Sequence, residues 1–199
     1  MVILMKKILF ATFVFGALIC SFDARAITPY IGLDYMYSDA DFGQKDGKWL
    51  EHKFDGGAAS LGLKLTNNFA IEGFYQQTVN NNTDRTNVVA DGDSLFTNMK
   101  IKAYGGDIVQ DILNVKYFEV LGSVGYARYE ISGSNKYVYN GKTSFKKYEL
   151  EGDAVRLGIG AQINFTEHYA IRGMYRYAFT NIDEMENIQE ISVGVRLMF

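Results

Sequence analysis

One cysteine, one proline, one tryptophan and two histidines are all that 199 residues contain of those types, and each shortage closes off some chemistry. The lone Cys20 excludes disulfide frameworks and thiolate metal clusters. It also fits lipidation poorly, because Ile19 stands where a lipobox takes a small residue. A long hydrophobic run is missing as well. The longest, Ile8 to Ile19, has twelve residues, against the roughly 20 that a membrane helix needs. No glycine-rich phosphate loop, metal-ligand cluster or carboxylate pair in a cleft can be picked out, so no cofactor and no metal are expected. What is abundant is glycine, at 20, and the ring residues Tyr and Phe, at 14 each.

The N-terminus has the form of an export signal. Met5-Lys6-Lys7 supplies a charged start, Ile8 to Ile19 the apolar stretch and Ala24-Arg25-Ala26 a small-residue cleavage site. Residues 1–26 are therefore expected to be removed, leaving a single domain over 27–199 that starts at Ile27. Losing Lys6, Lys7, Arg25 and Asp23 takes the net charge from −3 to −5 and leaves no thiol, which suits an oxidising compartment. Export and a negative charge argue against nucleic acid as a partner.

Eight alternating segments follow, near 30–38, 57–66, 69–79, 96–108, 116–130, 148–164, 168–179 and 189–199. Short connections at 66–68, 109–115 and 164–168 alternate with long ones at 39–56, 80–95, 131–147 and 180–188. This asymmetry belongs to membrane barrels, with turns on the periplasmic side and loops outside. Parity separates the two faces. Ile31, Leu33 and Tyr35, Leu61 and Leu63, Leu157 and Ile159, and Ile171 and Tyr175 share an uncharged outward face. The opposite parity collects Asp34, Glu72, Glu119 and Glu190 with Lys64, Arg156, Arg172, Arg176 and Arg196. An eight-stranded barrel is just wide enough to be filled by side chains, so these groups are expected to pair as a polar plug, with an ion path as the alternative.

The fourth segment resists this pattern. Met99 and Ile101 suggest an outward parity that would carry Asp107 into lipid, and a β-bulge at Gly105-Gly106 would repair it. An internal echo links 61–75 with 157–175, both hairpins of the form aromatic, then Ala-Ile-charge-Gly-x-Tyr.

The last eight residues, Ser192-Val-Gly-Val-Arg-Leu-Met-Phe199, place Val193, Val195, Leu197 and Phe199 on one face and end on an aromatic. This resembles the C-terminal strand of bacterial outer-membrane β-barrels. With the export signal and eight strands, the chain resembles the small barrels of the opacity-protein, OmpX and OmpA transmembrane-domain type. The resemblance implies an all-β, eight-stranded antiparallel up-and-down transmembrane barrel in the bacterial outer membrane, preceded by a cleavable signal peptide. It implies outer-membrane lipid and lipopolysaccharide as surroundings, and Ser192, Gly194, Leu197 and Phe199 as the signal read by the barrel-assembly machinery. Such families include adhesins, surface antigens, structural barrels and narrow channels, so activity is expected in the loops.

The loops carry candidates for that activity. Lys45, Lys48 and Trp49 lie in the first, and Lys136, Tyr137, Tyr139, Lys146 and Lys147 in the third. Aromatics between lysines suit a host surface or matrix protein, an acidic glycan or lipopolysaccharide phosphates, and lysines beside anionic headgroups also need no protein partner. A lipid-modifying acyl enzyme is the least favoured reading. Its residue types are present in His52 and Asp93-Ser94, but a charged lumen leaves no room for an acyl chain. The expectation is an adhesin or surface antigen that is also a structural membrane component, with a narrow channel for small solutes as the alternative.

Overall fold

A computed structural model describes residues 27–42, 52–86, 93–139, 142–182 and 185–199; the expected signal peptide and Lys45, Lys48 and Trp49 lie outside them. The elements are β1 (Thr28–Phe42), β2 (Lys53–Thr66), β3 (Phe69–Thr78), β4 (Asn81–Thr86), β5 (Ser94–Val115), β6 (Phe118–Tyr139), β7 (Lys142–Asn164), β8 (Tyr169–Thr180) and β9 (Met185–Met198). Every neighbouring pair is antiparallel, β1 pairs with β9, and β3 pairs with β5. The sheet therefore closes into an eight-stranded barrel. The ninth element adds no stave, because β4 continues β3 along β5. Gln77 faces Lys102 and Asn81 faces Met99, so a single bulge at Val79-Asn80 separates the two.

Turn chemistry closes the lower end. Asn68 donates its backbone N–H to the Thr66 hydroxyl, and His168 and Tyr169 do the same to Thr166. Such side-chain caps hold tight turns without glycine. Between β5 and β6 only Lys116-Tyr117 remain, with Lys116 left-handed at φ 47°. The stretch 109–115, expected as a connection, is strand. The Phe199 N–H donates to the Pro29 carbonyl, so both ends of the barrel domain lie on this side.

Alternation of burial follows the expected parity. Ile31, Leu33, Leu61, Leu157, Ile159, Val193 and Val195 are exposed on the outside, and Glu72, Arg156, Arg172 and Arg196 are buried inside. Two aromatic belts bound the apolar band, as at the two interfaces of a bilayer. Phe69, Tyr117, Phe118, Phe165, Tyr169 and Phe199 lie near the lower turns; Tyr35, Tyr75, Tyr104, Tyr126, Tyr175 and Phe179 lie higher. Upper hydroxyls reach polar groups: Tyr35 donates to Asp55, Tyr75 to Gln77 and Tyr175 to Gln189.

The expected bulge at Gly105-Gly106 is absent. β5 keeps an unbroken register with β3 from Lys102 to Gln110 and with β6 from Ser94 to Asp111; the shift comes between Asp111 and Leu113. Met99, Ile101, Ala103, Asp107 and Val109 all point inward and are buried. No repair is needed, because the upper interior is itself apolar and accepts Met99 and Ile101.

In the stretches 80–95 and 131–147, expected as loops, the described residues are largely strand. β5, β6 and β7 run for 22, 22 and 23 residues, about 70 Å of chain at ~3.3 Å per residue, against a hydrocarbon core of about 30 Å. Even allowing for tilt, their upper parts clear the membrane. Pairing of β7 with β8 stops at Ala154 and Thr180 and Asp153 is still bonded to Asn181, so 142–149 stand beyond the rim with β4 and the tops of β5 and β6 as a four-stranded blade.

Candidate functional site

Inside the barrel the side chains form layers. At the turn end Lys64 lies 3.0 Å from Asp111 and 3.4 Å from Glu119, and Glu119 also accepts from Asn114, Gln162 and Asn164. A cavity of about 30 Å³ beside them is lined by Tyr30, Lys64, Asp111, Glu119 and Arg172 among others, room for about one water.

The middle layer is a chain of buried ion pairs. Arg172 holds Glu72 at 2.7 Å, Arg196 grips Asp34 with two bonds of 2.9 and 3.0 Å, and Tyr30 donates to Glu72. Arg156 sits 3.8 Å from the centroid of the Phe74 ring, donates to Gln76 and reaches Asp107 at 2.7 Å and Glu190 at 3.5 Å. Arg176 donates to Ser192 and lies 3.5 Å from Asp107. Gln76 and Tyr129 both donate to Glu190. The remaining space there is about 10 Å³. Charges this deep persist only when paired and hydrogen-bonded, and they are.

All nine expected lumen residues are brought into these two layers. Sequence reasoning missed Asp107 and Asp111, the first through the misread parity of the fourth segment and the second because it sat in a presumed connection. It also missed that the interior is polar only in part. Above Glu190 the barrel is packed with Phe42, Phe54, Met99, Ile101, Ile131, Met185 and Ile188, an apolar stopper. Alternation of Met99, Ile101 and Ala103 within 96–103 carried this signal.

The blade holds the third-loop candidates. Lys136, Tyr139, Lys146 and Lys147 are exposed, as are Lys142 and Phe145, and Tyr137 is half-buried. Lys136, Phe96 and Phe145 lie side by side across three strands, with the Lys136 ammonium 5.7 Å from the Phe96 ring centre, a cation–π distance. Tyr137 donates to Asp93 at 2.7 Å, and that bond raises the Tyr137 hydroxyl above the ordinary tyrosine range.

Two of the residues weighed for acyl transfer have other partners. His52 Nδ1 lies 3.1 Å from the Ala40 carbonyl and Asp93 holds Tyr137. Among the described residues no group of three or more His, Cys, Asp or Glu is placed to hold a metal.

In the last strand Ser192 faces inward against Arg176, and Gly194 lies where a Cβ would overlap the Leu33 carbonyl. Leu197 is half-buried, and Phe199 is exposed on the lower aromatic belt.

The family model described as outer membrane protein beta-barrel domain matches residues 10–199. No curated protein matches the chain. Among solved structures, Ail, the attachment invasion locus protein of Yersinia pestis, in complex with the heparin analogue sucrose octasulfate, is similar at 18% identity and TM-score 0.57, covering 88% of this chain and 100% of that one. OprG from Pseudomonas aeruginosa is similar at 13% identity and TM-score 0.57, covering 88% and 97%. Neisserial surface protein A is similar at 15% identity and TM-score 0.55, covering 88% and 100%. At these identities the likeness concerns the fold.

Proposed function

Because the chain belongs to the outer-membrane β-barrel family and so resides in the bacterial outer membrane, we propose that it acts above that membrane, as an adhesin and surface antigen, while its barrel serves as a structural element. The observation that carries this reading is the contrast between a filled interior and a blade standing clear of it. The blade's hairpin puts Lys142, Lys146 and Lys147 with Phe145 into solvent, a pattern that suits polyanionic surfaces such as sulfated host or matrix glycans. The heparin analogue bound by Ail, a barrel of similar fold, supports that choice of ligand class.

The alternative, a narrow channel for small solutes, has in its favour the arginines and carboxylates of the middle layer. Against it stand the apolar stopper above them and cavities holding about one water each. Residues 1–26 as a removable export signal, and Ser192, Gly194, Leu197 and Phe199 as the segment read by the barrel-assembly machinery, belong to the same proposal.

The test is binding of the purified full-length barrel to immobilised heparin, with K142E/K146E/K147E as the variant. Each lysine near an anionic surface contributes about 1 kcal/mol, so the triple change is expected to weaken binding by about a hundredfold or more. Unchanged binding by a folded variant would remove the glycan reading.

A further inference from the structure

The lipid-facing surface is not uniform. Between the two aromatic belts, at β2, β3, β5 and β6, a concavity of about 610 Å³ is bounded by Leu61, Ile71, Gly73, Gly106, Ile108 and Val124. Its floor is the pair Gly73 and Gly106, directly opposite each other on β3 and β5. The barrel does not need glycine at either place. A Cβ at Gly73 would meet nothing nearer than 3.9 Å, and one at Gly106 nothing nearer than 3.5 Å. At Gly56, Gly105 and Gly194, by contrast, a Cβ would collide with backbone. The groove is thus open space in the bilayer that larger side chains could fill without strain.

What lies above the groove indicates its occupant. Outward positions of β5 recur every second residue, so from Gly106 upward the same face carries Tyr104, Lys102, Lys100, Asn98 and Phe96. Lys102 is four residues up, about 13 Å along the strand and about 10 Å in depth at a tilt of about 40°, from where a lysine side chain snorkels to the edge of one leaflet's hydrocarbon, about 15 Å deep. Arg128, the neighbouring cation on β6, is held by Glu151 and Asp153. Glu130 faces Lys102 across the strands, yet no carboxylate among the described residues forms an ion pair with Lys100 or Lys102. Two outward positions above Lys100, past Asn98, Phe96 and its neighbour Lys136 on β6 offer a ring and an ammonium at the height where a glycolipid carries sugars.

An apolar groove, two ammonium groups at headgroup height and an aromatic–lysine pair above them, aligned along the outward face of β5 and its neighbours, match an amphiphile with acyl tails, phosphates and saccharide in that order. We propose that the outward face of β5 is a track that retains one lipopolysaccharide molecule, with an acyl chain over Gly73 and Gly106, a lipid A phosphate against Lys102 and Lys100, and core sugar against Phe96. This requires only the outer-membrane location and not the adhesion reading, so each can fail alone.

The experiment is native mass spectrometry of the full-length protein extracted from outer membranes in mild detergent. Four proteins are compared: wild type, G73L/G106L, K100A/K102A, and G173L as control. Gly173 is also lipid-facing and open, with nothing nearer to its Cβ than 3.9 Å, but it lies on β8, away from the groove. Wild type and G173L are expected to retain one lipopolysaccharide. In G73L/G106L most of the retained lipopolysaccharide should be lost, because the two leucines occupy the space and the packing contacts that the acyl chain would take, and K100A/K102A should lose it too. If the glycine double variant fails to fold, the lysine variant decides alone. Equal retention in all four proteins would overturn the proposal. So would phospholipid retained in place of lipopolysaccharide, or a wild-type dimer that G73L/G106L converts to monomer, which would make a second copy the occupant.

Discussion

Arg172 shows how strongly a single residue is constrained here. Its guanidinium is fully enclosed and bonds both oxygens of Glu72, which also takes the Tyr30 hydroxyl. A buried pair of this kind adds little net stability over an apolar pair of similar volume, but removing one member leaves a bare charge. R172A is therefore expected to cost about 3 to 5 kcal/mol in urea unfolding of the barrel in detergent micelles, whereas E72L/R172M should cost much less. Equal losses in the two variants would mean that the pair itself, and not the stranded carboxylate, sets the cost. The residue types of this layer were legible in the sequence because lipid forbids charge on one parity, which leaves the other parity as the only home for five cations. The partners were not legible. Arg156 meets Gln76, Asp107 and Glu190 from three different strands, and which side chains meet across a lumen depends on the stagger of the closed sheet.

At the scale of the element, β5 separates what alternation reveals from what it hides. Within the bilayer one side of each strand is lipid, and the pattern of 57–66, 168–179 and 189–199 located those strands to within a few residues. Above the bilayer the side chains of 132–139 and 142–147 are half-buried or exposed on either parity, alternation fades, and 131–139 and 142–147 read as loop although they are strand. Inside, the apolar stopper gives Met99 and Ile101 the look of lipid-facing residues, and the strand runs inward through Asp107 with no bulge at Gly105-Gly106. The continuous register makes a sharp distinction between the two glycines. A side chain at Gly105 would drive into the Tyr126 carbonyl and Ala127, while Gly106 points to open space. G105V is expected to abolish the heat-modifiable gel shift of the folded barrel and G106V to preserve it. The opposite ranking would restore the bulge.

For the whole molecule, the layered interior and the blade divide the labour. The arginines of the middle layer could have lined an ion path, but their layer keeps only about 10 Å³ of free space and Phe42, Phe54, Met99 and Ile188 pack above it. Planar-bilayer recordings of the purified barrel should accordingly be silent; stable conductance altered by Arg172 or Glu72 substitution would favour the channel. Silence alone does not identify what the outer surface meets. The most direct measurement is adherence of cells displaying the full-length protein against cells displaying a version with residues 134–147 replaced by a tight turn, at matched surface levels and on sulfated-glycan-bearing host matrix. Loss of adherence with the barrel still folded is the expected result, and adherence that survives removal of the hairpin would contradict the assignment of function to the blade.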